Sequence, residues 1–127
     1  MVAAKTTYAS APGKFILFGE HAVVYGEPAL AAPLQSLRAH ASVSVTSSES
    51  PNGLFLTAED ISLSCYYGDL MPTHPLAATV HGALQAIGGL GVPSAHLRLG
   101  STIPIGAGLG SSAATAAAVA QAIARFL

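Results

Sequence analysis

Pro104-Ile105-Gly106-Ala107-Gly108-Leu109-Gly110-Ser111-Ser112-Ala113-Ala114 is the stretch on which the reading of this chain turns. Three glycines at alternate positions remove side chains where a backbone must come close to another group. Residues 113–127 are rich in alanine, the strongest helix former, and carry Val119, Ile123, Phe126 and Leu127 on one stripe. Ahead of the loop, residues 96–99 read as a short strand. The segment is therefore strand, glycine loop, then a helix that begins near Ser111. The first N–H groups of such a helix are unpaired and carry the positive end of its dipole, which suits phosphate. Ser111 and Ser112 add hydroxyls that can bond a phosphate or reach Mg²⁺.

Working outward, residues 37–46 alternate cleanly. Leu37, Ala39, Ala41, Val43 and Val45 fall on one side and Arg38, His40, Ser42 and Ser44 on the other, as in a half-buried antiparallel strand. Residues 8–10 and 15–18 read as two short strands separated by a turn at Pro12-Gly13. Residues 47–53 are turn chemistry, followed by strands at 54–57 and 61–65. The spacing predicts a helix over 75–87, capped by Thr73, striped by Leu76, Val80, Leu84 and Ile87, and stopped by Gly88-Gly89. Strands first, then helices interleaved with strands, give an α+β domain. The last helix carries no Gly, Asn or Pro stop signal and ends on Phe126-Leu127, so residues 1–127 read as one domain whose sequence breaks off early.

Composition narrows the function. With 51% hydrophobic and 9% charged residues, the 127-residue chain is globular and buries a real core. A net charge of −1 leaves no basic footprint for nucleic acid or an anionic membrane. Ala9-Ser10-Ala11 imitates a signal-peptidase site, but no apolar run precedes it, and residues 113–127 are too short and too often interrupted to span a bilayer. The single cysteine, Cys65, excludes an intrachain disulfide and fits a reducing, cytoplasmic setting. It alternates with Ile61 and Leu63 and reads as a core residue. His74 and His81 lie seven apart on one helical face, without a third metal ligand at suitable spacing.

Familiar phosphate loops do not fit the glycine stretch. A Walker loop requires Lys after its last Gly, where Ser111 stands, and Ser111 also replaces the final Gly of G-x-G-x-x-G. Residues 104–114 instead resemble the second motif of the GHMP kinases, P-x-x-x-G-L-G-S-S-A-A, without gap or substitution. The resemblance implies an α+β N-terminal domain with a mixed sheet and helices packed on one side. It implies that Gly106, Ala107, Gly108, Leu109, Gly110, Ser111 and Ser112 hold the phosphates of ATP, that Ser112 contacts Mg²⁺, and that Ser101 is a further nucleotide contact.

A second constellation is Pro12-Gly13-Lys14-Phe15-Ile16-Leu17-Phe18-Gly19-Glu20-His21. On its own a lone lysine is usually solvated and a lone histidine usually structural. The string, continuing to Ala31, is similar to the first motif of the mevalonate-phosphorylating branch of the same family. This resemblance implies that Lys14 lies near the transferring phosphate as a catalytic cation and that Glu20 and His21 line the mevalonate site. It further implies a role in isoprenoid synthesis. The family's catalytic Asp, its Mg²⁺-binding Glu and its third motif would lie beyond Leu127. Glu59, Asp60 and Asp69 match no family position, so residues 1–127 alone are expected to be inactive. Another GHMP kinase, such as one acting on phosphomevalonate, and a non-catalytic nucleotide-binding fragment stay open, as does a homodimer.

Overall fold

Strand β2 (Leu30–Val45) is the spine of the fold, pairing antiparallel with β1 (Thr6–Phe18) on one side and with β5 (Ala95–Ser101) on the other. The computed structural model describes residues 5–45, 53–89, 91 and 93–127. Beyond β5 the sheet continues with β3 (Leu54–Ala58), parallel to it, and β4 (Leu63–Tyr66), antiparallel to β3. The order β1-β2-β5-β3-β4 makes a five-stranded mixed sheet, the α+β architecture expected from the sequence. Helices α1 (Pro75–Ala86) and α2 (Ser111–Phe126) cover one face of it. Among the described residues no helix is long and apolar enough to cross a membrane.

Residue size sets how closely each helix sits. Ala9, Ala11, Ala39 and Ala41 on the sheet and Ala114, Ala118 and Ala122 on α2 are all buried, so α2 lies close on β1 and β2. Helix α1 instead contributes Leu76, Val80 and Leu84 to the same cluster, where Leu54, Leu56 and Leu97 are fully buried. Each of those leucines contributes roughly 1.5–3 kcal/mol of burial. The opposite face carries the alternate residues: Tyr8, Ser42, Arg98 and Thr57 form one cross-strand row open to solvent.

Several local expectations change. Pro12-Gly13 is not a turn; β1 runs through it, and the register slips there from Pro12 opposite Arg38 to Gly13 opposite Leu34. The slack falls on β2 at residues 35–37, and the Arg38 side chain braces it, donating to Ser10 Oγ at 3.1 Å and Gln35 Oε1 at 2.6 Å. Such a bulge keeps the pairing while redirecting the strand. Residues 13–34 then form a hairpin arm that lies past the end of β5's pairing with β2 and is largely exposed.

Ile61 belongs to a single 3₁₀ turn (Glu59–Ile61) and is exposed, so the strand begins at Leu63 and Cys65 is half-buried outside the core cluster. Helix α1 is capped by His74, whose Nδ1 accepts the Leu76 N–H at 3.1 Å, and not by Thr73. Gly88 and Gly89, both at positive φ, end it as expected. Residues 47–52 of the expected turn lie outside the described residues. At the end of α2, Phe126 is half-buried against the core with the Lys5 ammonium 5.1 Å over its ring, whereas Leu127 is exposed. Lys5 also donates to the Phe126 carbonyl, Thr7 Oγ1 to the Ala122 carbonyl and Arg125 to the Tyr8 carbonyl, pinning edge strand β1 to the helix.

His96, on the open face, shares a 2.8 Å hydrogen bond with Thr57 Oγ1 and meets the Phe55 ring edge-on. Burial, and secondarily the Arg98 charge, hold its pKa below the ordinary 6.5. The folded state therefore binds fewer protons at this site than the unfolded chain. Its contribution is complete above about pH 6.5 and is lost as pH falls through the lowered value. Thermal melts between pH 7.5 and 5 should show stability falling on the acid side, with a shallower fall in His96→Gln. Identical slopes for the two proteins would contradict this.

Candidate functional site

The glycine loop stands out from the domain because both its ends are anchored. Ile103 is buried before it, Leu109 packs half-buried against the core near its end, and residues 104–108 between them are exposed. Gly106, Gly108 and Gly110 all take left-handed φ values, 74°, 73° and 74°. A side chain there would incur roughly 1–2 kcal/mol of strain per residue, which accounts for the glycine spacing. A Cβ added at Gly106 or Gly108 would meet nothing within 4 Å, so the loop's outer side is open.

Gly110 is the N-cap of α2 and provides no side-chain cap. The Ala114 N–H bonds the Gly110 carbonyl at 3.0 Å. The N–H groups of Ser111, Ser112 and Ala113 therefore have no acceptor among the described residues. Three free donors at the positive end of a four-turn helix, beside an open glycine loop, fit the charge and shape of a phosphate. The Ser112 hydroxyl is exposed beside these donors and is an oxygen of the kind that Mg²⁺ takes.

The bulge in β2, opposite Pro12-Gly13, brings the other half of the site. Lys14 lies just past it, opposite Pro33, and sends its N–H to the Leu109 carbonyl at 2.8 Å. Gly13 fits beneath the same carbonyl, and a Cβ there would lie 2.9 Å from Leu109 O and 3.4 Å from Ile103. The Lys14 stem then passes across Gly110. Two segments about ninety residues apart in sequence thus meet through one backbone hydrogen bond and one side-chain stem.

Glu20 and His21 are exposed at the far end of the arm, past Gly19, with His21 leading into a short 3₁₀ turn (Ala22–Tyr25). At about 3.3 Å per strand residue, four residues from Lys14 to Phe18 already span roughly 13 Å. The structure joins Lys14 to the loop, while Glu20 and His21 face solvent further out. Ser101, at the end of β5, is already bonded twice: its N–H donates to Asp60 Oδ2 at 2.8 Å, and its Oγ accepts the Ile103 N–H at 3.0 Å. Sequence reasoning missed Gly13, Arg38 and Asp60 as supports of the site. Only Gly13 carried a local signal, the Pro-Gly pair. A shallow cavity of about 540 Å³ lies elsewhere, on the open sheet face around Tyr8, Ser42, Thr57 and Arg98.

A glycine loop opening onto a helix, set on a mixed sheet with helices on one face, is the arrangement expected from the resemblance of residues 104–114. In agreement, residues 76–127 match the family described as GHMP kinases N terminal domain. The chain is also similar to mevalonate kinases. The chain is 42% identical over 116 residues to mevalonate kinase of Archaeoglobus fulgidus, covering 91% of this chain and 36% of that enzyme. It is 36% identical over 140 residues to the Pyrococcus horikoshii enzyme, covering 97% and 39%. The crystal structure of Methanococcus jannaschii mevalonate kinase superposes with a TM-score of 0.75 at 25% identity, over 96% of this chain and 40% of that one. The chain thus spans well under half the length of these relatives. Their similarity, unlike the family match, also covers the first motif.

Substitutions at two glycines separate packing from backbone freedom. Gly13→Ala should destabilise by about 1–3 kcal/mol in urea titrations, since its methyl would press on the Leu109 carbonyl. Gly82→Ala, inside α1 with open space around it, should stabilise by about 0.5–1 kcal/mol. Equal effects at the two positions would mean that the arm and the loop do not meet as described.

Proposed function

We propose that residues 1–127 form the N-terminal, ATP-binding domain of a kinase that phosphorylates mevalonate to 5-phosphomevalonate in the cytoplasm. The observation that carries this reading is the set of unpaired Ser111, Ser112 and Ala113 N–H groups beside an open glycine loop that is bonded to Lys14. Phosphoryl transfer needs mainly positioning and charge opposite the phosphate oxygens. In this reading Gly106 to Gly110 cradle the ATP phosphates, and the helix start supplies donors to them. Lys14 sets a cation against the charge that builds on the transferring group. Ser112 would hold Mg²⁺, which when bound would supply further neutralisation. Ser101 keeps a hydroxyl proton to donate, because its oxygen is already an acceptor from Ile103. Glu20 and His21, at the exposed end of the arm, face the alcohol substrate.

The relatives' names support mevalonate as that substrate. The test is a graft in which residues 1–127 replace the matching segment of the A. fulgidus enzyme. Mevalonate-dependent ADP release is expected, and Lys14→Met in the graft should lower kcat by about 10²–10³ while changing the KM for ATP far less. Turnover of 5-phosphomevalonate in place of mevalonate would move the assignment to a neighbouring activity. An equal fall in kcat and ATP affinity would make Lys14 a binding residue only.

A further inference from the structure

Gly106, Gly108 and Gly110 take nearly the same φ, between 73° and 74°, yet their surroundings differ. Space is open around the first two. A Cβ at Gly110 would lie 2.9 Å from Lys14 Cγ, 3.7 Å from Lys14 Cε and 3.5 Å from the Lys14 backbone nitrogen. The lysine stem therefore runs along Gly110 from its root to near its tip. It could not yield at its far end alone. Cγ moves only with χ1, whose staggered wells lie about 120° apart, and the Lys14 backbone is held by its N–H bond to Leu109.

We propose that Gly110 is a positioning residue for Lys14: by lacking a Cβ it lets the lysine stem lie across the N-cap of α2, so that the loop which receives the phosphates also aims the ammonium. The inference rests on the nucleotide reading for its purpose, and on the packing alone for its geometry. The backbone bond to Leu109 and the stem over Gly110 act together, so a loop displaced from its place would carry the cation with it. Gly110 therefore does two things: it supplies the left-handed turn that all three glycines supply, and it makes room that the other two do not.

Because the chain holds only two lysines, Lys5 and Lys14, ¹³C-lysine labelling gives NMR spectra in which Lys14 is assigned by difference from Lys5→Arg. Wild type, Gly106→Ala, Gly108→Ala and Gly110→Ala are compared, free and with MgATP. Lys14 side-chain signals should be displaced in Gly110→Ala but not in the other two, with loss of the cross-peak between Lys14 Cγ protons and residue 110. On adding MgATP to wild type, the Ser111 and Ser112 amides and the Lys14 Cε signal should move together. In Gly110→Ala the amides should still move without Lys14 following. If Lys14 in free Gly110→Ala is indistinguishable from Lys14 in Gly108→Ala, the positioning role is overturned, whatever ATP does. If MgATP moves no amide in wild type, the nucleotide reading fails and so does the purpose of the positioning, while the free-state displacement still decides the packing. Should Gly110→Ala not fold, adding Lys14→Ala should restore folding by removing the stem. Failure to restore it would overturn the proposal.

Discussion

The hydrogen bond from the Lys14 N–H to the Leu109 carbonyl, 2.8 Å long, is the contact on which the rest of the site depends. It is available only because β1 and β2 slip register between Pro12 and Gly13, and only because position 13 has no side chain beneath that carbonyl. The slip in turn needs three residues of β2 to be taken up without pairing, which the Arg38 guanidinium permits by bridging Ser10 and Gln35. A register slip in the middle of one strand thus sets the position of a loop roughly ninety residues later. A neutral backbone hydrogen bond contributes only about 0.5–1.5 kcal/mol in net stability, so its importance is positional.

That geometry sits on a floor of small residues. Alanines on β1, β2 and α2 let the helix axis approach the sheet closely, and the start of α2 comes to the root of the hairpin arm as a result. Replacing one of them with a larger residue would lift the helix and separate Gly110 from Lys14, since packed interiors transmit added volume instead of absorbing it. The bulkier Leu and Val residues under α1 supply the burial that makes the layer stable, and they lie away from the loop. The domain therefore divides its interior between close approach near the site and apolar volume elsewhere.

Much of this was legible in the sequence where the signal is local. The alternation through Val43, the alanine helix from Ser111 and the glycine spacing each report a backbone preference within a few residues. What was hidden is non-local. Pro12-Gly13 reads as a turn because nothing nearby says that a partner strand will absorb the slack. Ile61 fits a strand by alternation, but a 3₁₀ turn takes it to the surface and Ser62 into a left-handed conformation. His74 competes with Thr73 for the same cap, and the imidazole one residue closer wins. Asp60, unremarkable in sequence, holds the Ser101 backbone across 41 positions. Glu20 and His21 became candidates for the substrate's site only through the resemblance of the first motif, and the fold leaves them exposed at the end of an arm.

In the proposed function, the loop from Gly106 to Ser112 and the Lys14 ammonium receive the phosphates of one nucleotide. A crystal structure of the chain with Mg²⁺ and a non-hydrolysable ATP analogue tests it most directly. Phosphate oxygens are expected within about 2.7–3.2 Å of the Ser111, Ser112 and Ala113 N–H groups, with the Lys14 ammonium on the terminal phosphate. Phosphates bound elsewhere, for instance by Arg98 on the open face of the sheet, with the α2 N-terminus left free, would contradict it.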